Sequence, residues 1–266
     1  MEVSMKKKKY ESTNNEQRFS GLGEFYAQNR PSYPQTFMDY LFSSVGMKEG
    51  SVIADIGSGT GILTQQLLDM GCGEVFAVEP NADMRNVAEN NLKGYLPKFK
   101  SIAASAENTG LSSHSVDYVT VAQAFHWFDR ELFKKECKRI LKANGKVVLV
   151  WNFRDDSTEV ILKYDMIHRQ HCPTYVENAS GLKAKGYEQN LADFFTGEFE
   201  MKEFRNDLTF DKQSFIGRSR SSSYALKETD KGYEEYIAAL IKLFDEYSQK
   251  GLLILPNRAR SFAGIV

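Results

Sequence analysis

The segment SVIADIGSGTGI, residues 51–62, decides the fold because an apolar, β-branched run leads directly into a turn of three glycines. The residues that follow place Leu63, Leu67 and Met70 at helical spacing, and Gly71 can end that helix. A short buried strand joined to an amphipathic helix by a tight turn is the repeating unit of a parallel sheet. We therefore expect the first strand and the first helix of an α/β domain here.

The same alternation continues to residue 153. Further strands are predicted at residues 73–79, 99–105, 115–123 and 145–153, and a second helix at residues 81–92. Asp129 can cap a third helix whose apolar face holds Phe133, Cys137 and Ile140, and Gly145 can end it. Alternating strands and helices predict a mostly parallel sheet that is covered on both faces.

The second half of the chain has a different pattern. Residues 155–200 are polar and favour helices, whereas FEMKEFRNDLTF (199–210) favours one strand. YEEYIAALIKLFDEY (233–247) is typical of an amphipathic helix, and LLILPNRARSFAGIV (252–266) predicts a last strand. These segments follow the alternating region and predict an elaboration of the main sheet.

Composition narrows the class of protein. The 266 residues carry a formal net charge of −1, so no global field draws the chain onto nucleic acid or an anionic membrane. The lysine-rich start has no apolar run behind it, so neither a signal peptide nor a membrane anchor is expected. Three cysteines, none in a Cys-x-x-Cys pair, indicate reduced thiols and a cytoplasmic location. His168, His171 and Cys172 lack a carboxylate at ligand spacing, so no metal site is expected.

The glycine turn restricts the ligand. A dinucleotide fold would place its third glycine at position 62, which is isoleucine, and no Gly-Lys-Ser or Gly-Lys-Thr follows. Asp55 at the mouth of the turn would repel a pyrophosphate and favour a cation. Glu79, at the end of the second strand, can accept hydrogen bonds from a ribose diol. The ligand should carry a ribose and positive charge without phosphate, as S-adenosylmethionine does, which disfavours a nicotinamide oxidoreductase.

A family resemblance follows from these motifs. VIADIGSGTG, AVEPNADM, ASAENTGL, VDYVTVAQAFHWFD and ILKANGKVVLVWN resemble the successive motifs of class I S-adenosylmethionine-dependent methyltransferases. Within that class the chain most resembles the small-molecule group of methyltransferase type 11, which includes trans-aconitate methyltransferases. The resemblance implies an α/β, Rossmann-like, doubly wound sheet of seven strands with order 3-2-1-4-5-7-6, an antiparallel strand seven and a helical lid. It also implies a tail (1–20), a cofactor-binding core (21–154), a lid with strand six (155–250) and a returning last strand (251–266).

The resemblance also implies the residues that bind the cofactor. Tyr26 and Arg30 match positions that hold its carboxylate, Glu79 matches the ribose ligand, and Gln123 matches a position near the methionine end. Ser105 stands where the family usually has aspartate, so a hydroxyl or the neighbouring backbone would contact the adenine. The full predicted set is Tyr26, Arg30, Asp55, Gly57, Ser58, Gly59, Glu79, Asn81, Met84, Ser105, Ala106, Glu107 and Gln123.

The stretch VAQAFHWFD, residues 121–129, ends the fourth strand, where cofactor and acceptor should meet. We expect Phe125 and Trp127 to exclude water and to wall an acceptor, while Phe128 packs against the sheet. His126 is a candidate for orienting the acceptor or for general base catalysis, with a structural role as the alternative. Further candidates for binding the acceptor are Trp151, Arg154, Arg218 and Arg220. The arginines among them would suit an acceptor that carries a carboxylate.

The predicted function is transfer of a methyl group from S-adenosylmethionine to a small-molecule acceptor, with S-adenosylhomocysteine as the product and without a metal. A carboxylate is one candidate for the accepting molecule. No nucleic-acid or membrane partner is expected, and the chain is expected to be a monomer or a homodimer. The near-neutral charge disfavours methylation of RNA. A protein that binds S-adenosylmethionine without catalysis, as a sensor or scaffold, is the alternative.

Overall fold

A seven-stranded mixed sheet forms the centre of the protein. The computed structural model describes residues 30–175, 187–222 and 224–266. Tyr26 and the predicted tail (1–20) therefore lie outside the described residues. Within the described part of the chain the sheet strands are β1 (Val52–Ile56), β2 (Glu74–Val78), β3 (Phe99–Ile102), β4 (Val116–Ala122), β5 (Leu141–Arg154), β6 (Phe199–Arg205) and β9 (Asn257–Gly264).

The strand order is β3-β2-β1-β4-β5-β9-β6. Strands β1 to β5 are parallel to their neighbours, and β9 runs antiparallel between β5 and β6. Counting β9 as the seventh strand of this sheet, the order is 3-2-1-4-5-7-6, so the predicted fold class is confirmed. Strand order reverses between β1 and β4, which opens a crevice at their carboxyl ends.

Helices cover both faces of the sheet. They are α1 (Gln35–Tyr40), α2 (Ile62–Asp69), α3 (Ala82–Leu92), α4 (Arg130–Ile140), α5 (Glu159–His171), α6 (Tyr187–Phe194), α7 (Lys212–Arg220) and α8 (Tyr233–Tyr247). Because side chains alternate along a strand, Ile53 of β1 packs in the core under α1 to α3, while Ala54 and Ile56 pack in the core that includes α4 and α6. The sheet is thus buried on both sides, as parallel strands require.

A third core lies apart from the sheet. Helices α5, α7 and α8 pack around Tyr164, Phe215, Tyr236 and Leu240. A two-stranded sheet of β7 (Leu208–Phe210) and β8 (Leu253–Leu255) closes this core from one side. We call this unit, formed by α5, α7, α8, β7 and β8, the lid.

Two predicted strands are each divided in the structure. Residues 199–210 form β6 and β7 with a break at Asn206 and Asp207, and the tail forms β8 and β9 with a break at Pro256. Asn206 donates its N–H to the carbonyl of Asn257 at 2.8 Å, so both breaks lie side by side. The chain leaves the main sheet at this point and pairs within the lid. The expectation of one continuous strand in each segment was wrong, while the predicted domain boundaries stay a prediction.

None of the helices in the described part of the chain combines the length and apolar character that a membrane crossing needs.

Candidate active site

Asp55 lies at the carboxyl end of β1 and is fully buried. The hydroxyls of Thr64 on α2 and Thr120 on β4 donate to its two carboxylate oxygens at 2.6 and 2.8 Å. Burial raises the pKa of the Asp55 carboxyl from 3.8 to about 6, against the opposing effect of these hydrogen bonds. Asp55 therefore joins α2 and β4 beneath the turn and presents no open surface, and its predicted contribution to cofactor binding stays a prediction.

The glycine turn and Glu79 form one unit. The N–H of Gly59 donates to Glu79 Oε2 at 3.0 Å, and the N–H of Asn81 donates to Glu79 Oε1 at 2.9 Å. The N–H groups of Gly57 and Ser58 both donate to the carbonyl of Val78 at the end of β2. The turn after β1 is thereby fixed against the end of β2, with a nearly buried carboxylate between them.

The three glycines of the turn all have positive φ, but their surroundings differ. A Cβ at Gly57 would lie 2.6 Å from Ala124 Cβ, and one at Gly61 would lie 2.7 Å from Leu92 Cδ1. A Cβ at Gly59 would meet no atom of the described residues within 4 Å. Gly57 and Gly61 thus permit close packing, whereas Gly59 leaves room beside the Glu79 carboxylate for a ligand to approach the backbone.

The predicted adenine-contacting residues flank this unit. Asn81 caps α3 by accepting the N–H of Met84 at 3.0 Å, and both residues are buried. In the loop after β3, Ser105 is partly exposed and Ala106 is buried. Glu107 Oε1 accepts the N–H of Asp129 at 2.9 Å, which ties this loop to the segment after β4. The structure therefore brings these predicted residues to one edge of the sheet.

Gln123 follows β4 with a left-handed backbone, φ 61°. Its N–H donates to the carbonyl of Val150 and its side-chain Nε2 to the carbonyl of Asn152, at 3.0 and 3.2 Å. A non-glycine residue in this conformation is strained by about 1–3 kcal/mol and is held by its surroundings. The hydrogen bonds to β5 supply that restraint and fix the direction of the Gln123 side chain at the rim.

The segment before α1 crosses the carboxyl ends of the strands. Gln66 on α2 exchanges two hydrogen bonds with the backbone of Tyr33, at 3.0 and 2.8 Å. At the other end, the carbonyl of Ser32 accepts from Asn206 Nδ2 at 3.0 Å and from Asn152 Nδ2 at 3.4 Å. Arg30 lies two residues earlier and is therefore placed beside the end of β5.

Two predicted acceptor contacts lie inside the core instead of on the rim. Phe125 is 3% exposed and Trp151 is 1% exposed. Their rings pack edge to face with centroids 6.1 Å apart, and Phe125 also packs against Phe133 and Phe194. This packing gives both side chains a structural role, because neither presents a surface to an acceptor. The sequence carried a signal for this, since Trp151 shares the strand face of Val147 and Leu149.

His126 and Trp127 remain at the rim. Both are exposed, and their rings lie 4.6 Å apart between centroids. Desolvation by the neighbouring part of the protein lowers the pKa of His126. His126 is therefore neutral near pH 7 and is a weak base. Phe128 packs against Phe133, as expected, and approaches Gly57.

The three predicted arginines differ in their partners. Arg154 pairs with Asp165, donates to the hydroxyl of Tyr224 at 2.7 Å and lies over the ring of Tyr164. Arg220 is exposed and pairs with Glu228 at 2.6 Å. Arg218 is only partly exposed, and its Nη1 donates to Ser221 Oγ at 3.3 Å. Burial, with Arg30 as the main charged neighbour, lowers the pKa of Arg218 to about 10.

Sequence reasoning did not place His168 near Arg154 and Arg218. It is fully buried in the lid, and its ring packs against the rings of four tyrosines: Tyr164, Tyr175, Tyr224 and Tyr236. Burial, together with the charges of Arg154 and Arg218, lowers the pKa of His168 to about 2, so the ring is neutral. In the described ranges no group of three or more His, Cys, Asp and Glu side chains is arranged to hold a metal ion.

Comparison with known proteins agrees with this geometry. Residues 54–149 match the methyltransferase domain family. The chain is 37% identical over 154 residues to an uncharacterised methyltransferase-like protein of Schizosaccharomyces pombe, covering 57% of this chain and 59% of that protein. An uncharacterised methyltransferase of Mycobacterium tuberculosis is 38% identical over 131 residues, which cover 49% of this chain and 50% of that protein. The chain thus spans about half to 60% of the length of these curated relatives.

Solved structures show the same fold. A protein described as a type II methyltransferase from Anaeromyxobacter dehalogenans superposes with a TM-score of 0.63 at 22% identity, covering 89% of this chain and 97% of that one. The phosphoethanolamine N-methyltransferase 2 of Haemonchus contortus superposes with a TM-score of 0.52 at 17% identity, covering 94% of this chain and 57% of that one. Its structure holds phosphomonomethylethanolamine and S-adenosylhomocysteine.

Strand order and superposition define the fold, which is that of class I S-adenosylmethionine-dependent methyltransferases. Within the chain, residues 54–149 are the part that matches the methyltransferase domain family.

Proposed function

We propose that the protein transfers the methyl group of S-adenosylmethionine to a small-molecule acceptor that carries a carboxylate. The observation that carries the cofactor assignment is the Gly59–Glu79 unit. A nearly buried carboxylate stands beside a glycine where a Cβ would meet no described atom, at the reversal of strand order. The bound S-adenosylhomocysteine of the H. contortus enzyme supports the same ligand class.

The residues present fit this cofactor. Glu79 would accept from the ribose, the residues of the loop after β3 would border the adenine, and Gln123 would lie beside the methionine end. Asp55 favours positive charge through space because it is ionised above pH 6. When bound, the cofactor supplies an electrophilic methyl group on a sulfonium. Arg30 beside the end of β5 would pair with its carboxylate, and Tyr26 stays a prediction for the same contact.

The rim residues would orient the acceptor and exclude water. Trp127 offers an exposed aromatic surface next to His126. A carboxylate acceptor is already ionised at neutral pH and needs no general base. The lowered pKa of His126 favours a role as a hydrogen-bonding residue that orients the acceptor. Such a site would promote an in-line displacement mainly by holding the methyl donor and the acceptor close together and aligned.

The carboxylate of the acceptor is supported by Arg218. This arginine neighbours Arg154, the last residue of β5, and guanidinium groups pair with carboxylates in two-pronged geometry. Membership of a trans-aconitate-like subgroup, a monomer or homodimer and a cytoplasmic location stay predictions. Ser105 in the place of the usual aspartate keeps cofactor binding without catalysis as the second candidate.

The test is methyl transfer from S-adenosylmethionine to a panel of small carboxylic acids, measured as S-adenosylhomocysteine formed. We expect turnover with a subset of acids and loss of it in Glu79→Ala. Glu74→Ala is the matched control, because Glu74 starts the strand that Glu79 follows and pairs with Lys100 near the surface. Cofactor binding without turnover on any acid, amine or thiol would favour the non-catalytic alternative.

A further inference from the structure

A positively charged cluster lies above the carboxyl ends of the strands, between the rim and the lid. Arg154 lies over the ring of Tyr164, whose hydroxyl lies 2.8 Å from that of Ser219, the residue after Arg218 on α7. Arg30 is the main charged neighbour of Arg218, so the three guanidinium groups share one region. They come from three separate parts of the chain: the segment before α1, the end of β5 and helix α7. The fold alone brings them together.

Arg154 and Arg218 differ in whether a carboxylate neutralises them. Asp165 neutralises Arg154, and Tyr175 donates to the same Asp165 oxygen at 3.0 Å, which holds that carboxylate in place. Within the described ranges Arg218 has no carboxylate partner, and its hydrogen bond is to the Ser221 hydroxyl. A partly desolvated cation without a counter-ion is unfavourable, and an anionic ligand would relieve this cost. Arg218 is still partly exposed, so such a ligand can reach it.

Arg154 extends beyond the end of the neighbouring strand. β4 ends at Ala122, which pairs with Val150, and β5 continues four residues further to Arg154. The Arg154 side chain then turns to the lid, where it meets Tyr164 and Tyr224. Arg218, on helix α7 of the lid, therefore lies on the lid side of the strand ends.

We propose that Arg218 binds an anionic group of the acceptor, a carboxylate, at a subsite between the rim and the lid. Arg154 is a positioning residue here: its contacts with Asp165, Tyr164 and Tyr224 hold α5 and the lid around the subsite. Half-buried Tyr175 and Tyr224 supply an aromatic wall for the body of the acceptor. The acceptor is thus bifunctional, with a docking carboxylate at one end. This inference rests on the proposed function, because it assigns one end of the same acceptor.

The experiment uses the full chain saturated with S-adenosylhomocysteine, and the probe is benzoate, with benzamide as its neutral counterpart. Binding is measured by calorimetry. We expect the complex to bind benzoate more tightly than benzamide. Arg218→Gln should lower the affinity for benzoate by about tenfold or more. Arg218→Lys should recover part of the affinity because it restores the charge. Arg220→Gln is the matched control, since Arg220 lies on the same helix and pairs with Glu228 on the surface.

The outcomes separate the subsite from the cofactor site. Benzoate that binds alongside S-adenosylhomocysteine supports an acceptor subsite. Benzoate that competes with S-adenosylhomocysteine would show that the cluster holds the carboxylate of the cofactor, and would overturn the inference. Equal binding to wild type and Arg218→Gln, or no binding of benzoate to wild type, would also overturn it. Retained binding of S-adenosylhomocysteine by Arg218→Gln reports that the variant is folded. If wild type fails to bind S-adenosylhomocysteine, the proposed function fails, and the variants still decide the subsite with benzoate alone.

Discussion

At the residue scale, the buried Asp55 makes the stability of the ligand-free protein depend on pH. Its folded-state pKa of about 6 lies above the ordinary value of 3.8, so the folded protein favours the protonated form. The stabilising contribution of this group is fully present below pH 4 and is lost as the pH rises through 6. The ionised form then costs on the order of 3 kcal/mol near neutral pH, from a shift of about two units.

Asp55→Asn removes this titration while keeping an oxygen that can accept from Thr64 or Thr120. We measure the difference in the midpoint of thermal unfolding between the ligand-free variant and wild type. We expect this difference to favour the variant more at pH 7.5 than at pH 5. Asp39→Asn is the control, because Asp39 is exposed on α1. A stability difference that does not change between pH 5 and pH 7.5 would contradict the assignment of the raised pKa to Asp55.

At the element scale, two glycines of the turn have different roles: Gly57 permits close packing, and Gly59 faces open space. Gly57→Ala would drive a Cβ to within 2.6 Å of Ala124 Cβ, so overpacking should cost about 1–3 kcal/mol beyond the strain of positive φ. Gly59→Ala meets no described atom within 4 Å and should carry only the φ strain, about 1 kcal/mol.

The two variants are compared by thermal unfolding and by titration with S-adenosylhomocysteine. Gly57→Ala should unfold at the lower temperature of the two. Gly59→Ala should stay folded but lose affinity, because its methyl group enters the open space at the turn that the ligand would occupy. Wild-type affinity in Gly59→Ala would show that the ligand does not approach the turn there.

Local patterns predicted those parts of the site that lie at strand ends. Asp55 and Glu79 follow apolar runs whose alternation with helices fixes which end of the sheet they share. Arg30, Arg154 and Arg218 were each candidates from the sequence, but their proximity could not be predicted, because they come from segments far apart in the chain. The break at Asn206 was missed because the alternating pattern of residues 199–210 continues across it.

At the scale of the whole molecule, the lid has its own hydrophobic core. Leu240 of α8 is fully buried in that core and does not belong to either core of the main sheet. Leu240→Ala should destabilise the lid by about 2–5 kcal/mol through the cavity that it leaves. We expect faster hydrogen exchange in α5, α7 and α8, with unchanged exchange in β1 and β4 and unchanged binding of S-adenosylhomocysteine.

Phe133→Leu is a comparison variant for the same measurement, because Phe133 is buried in the core of the main sheet. Its effect should appear in α4 and β4 and leave the lid protected. Faster exchange across the whole chain in Leu240→Ala would contradict an independently packed lid.

The central claim is a cofactor site for S-adenosylmethionine built on the Gly59–Glu79 unit. Calorimetric titration of the purified protein with S-adenosylmethionine, with NAD as the control ligand, tests it most directly. We expect binding of S-adenosylmethionine, no binding of NAD, and loss of S-adenosylmethionine binding in Glu79→Ala but not in Glu74→Ala. Binding of NAD, or undiminished binding of S-adenosylmethionine by Glu79→Ala, would contradict it.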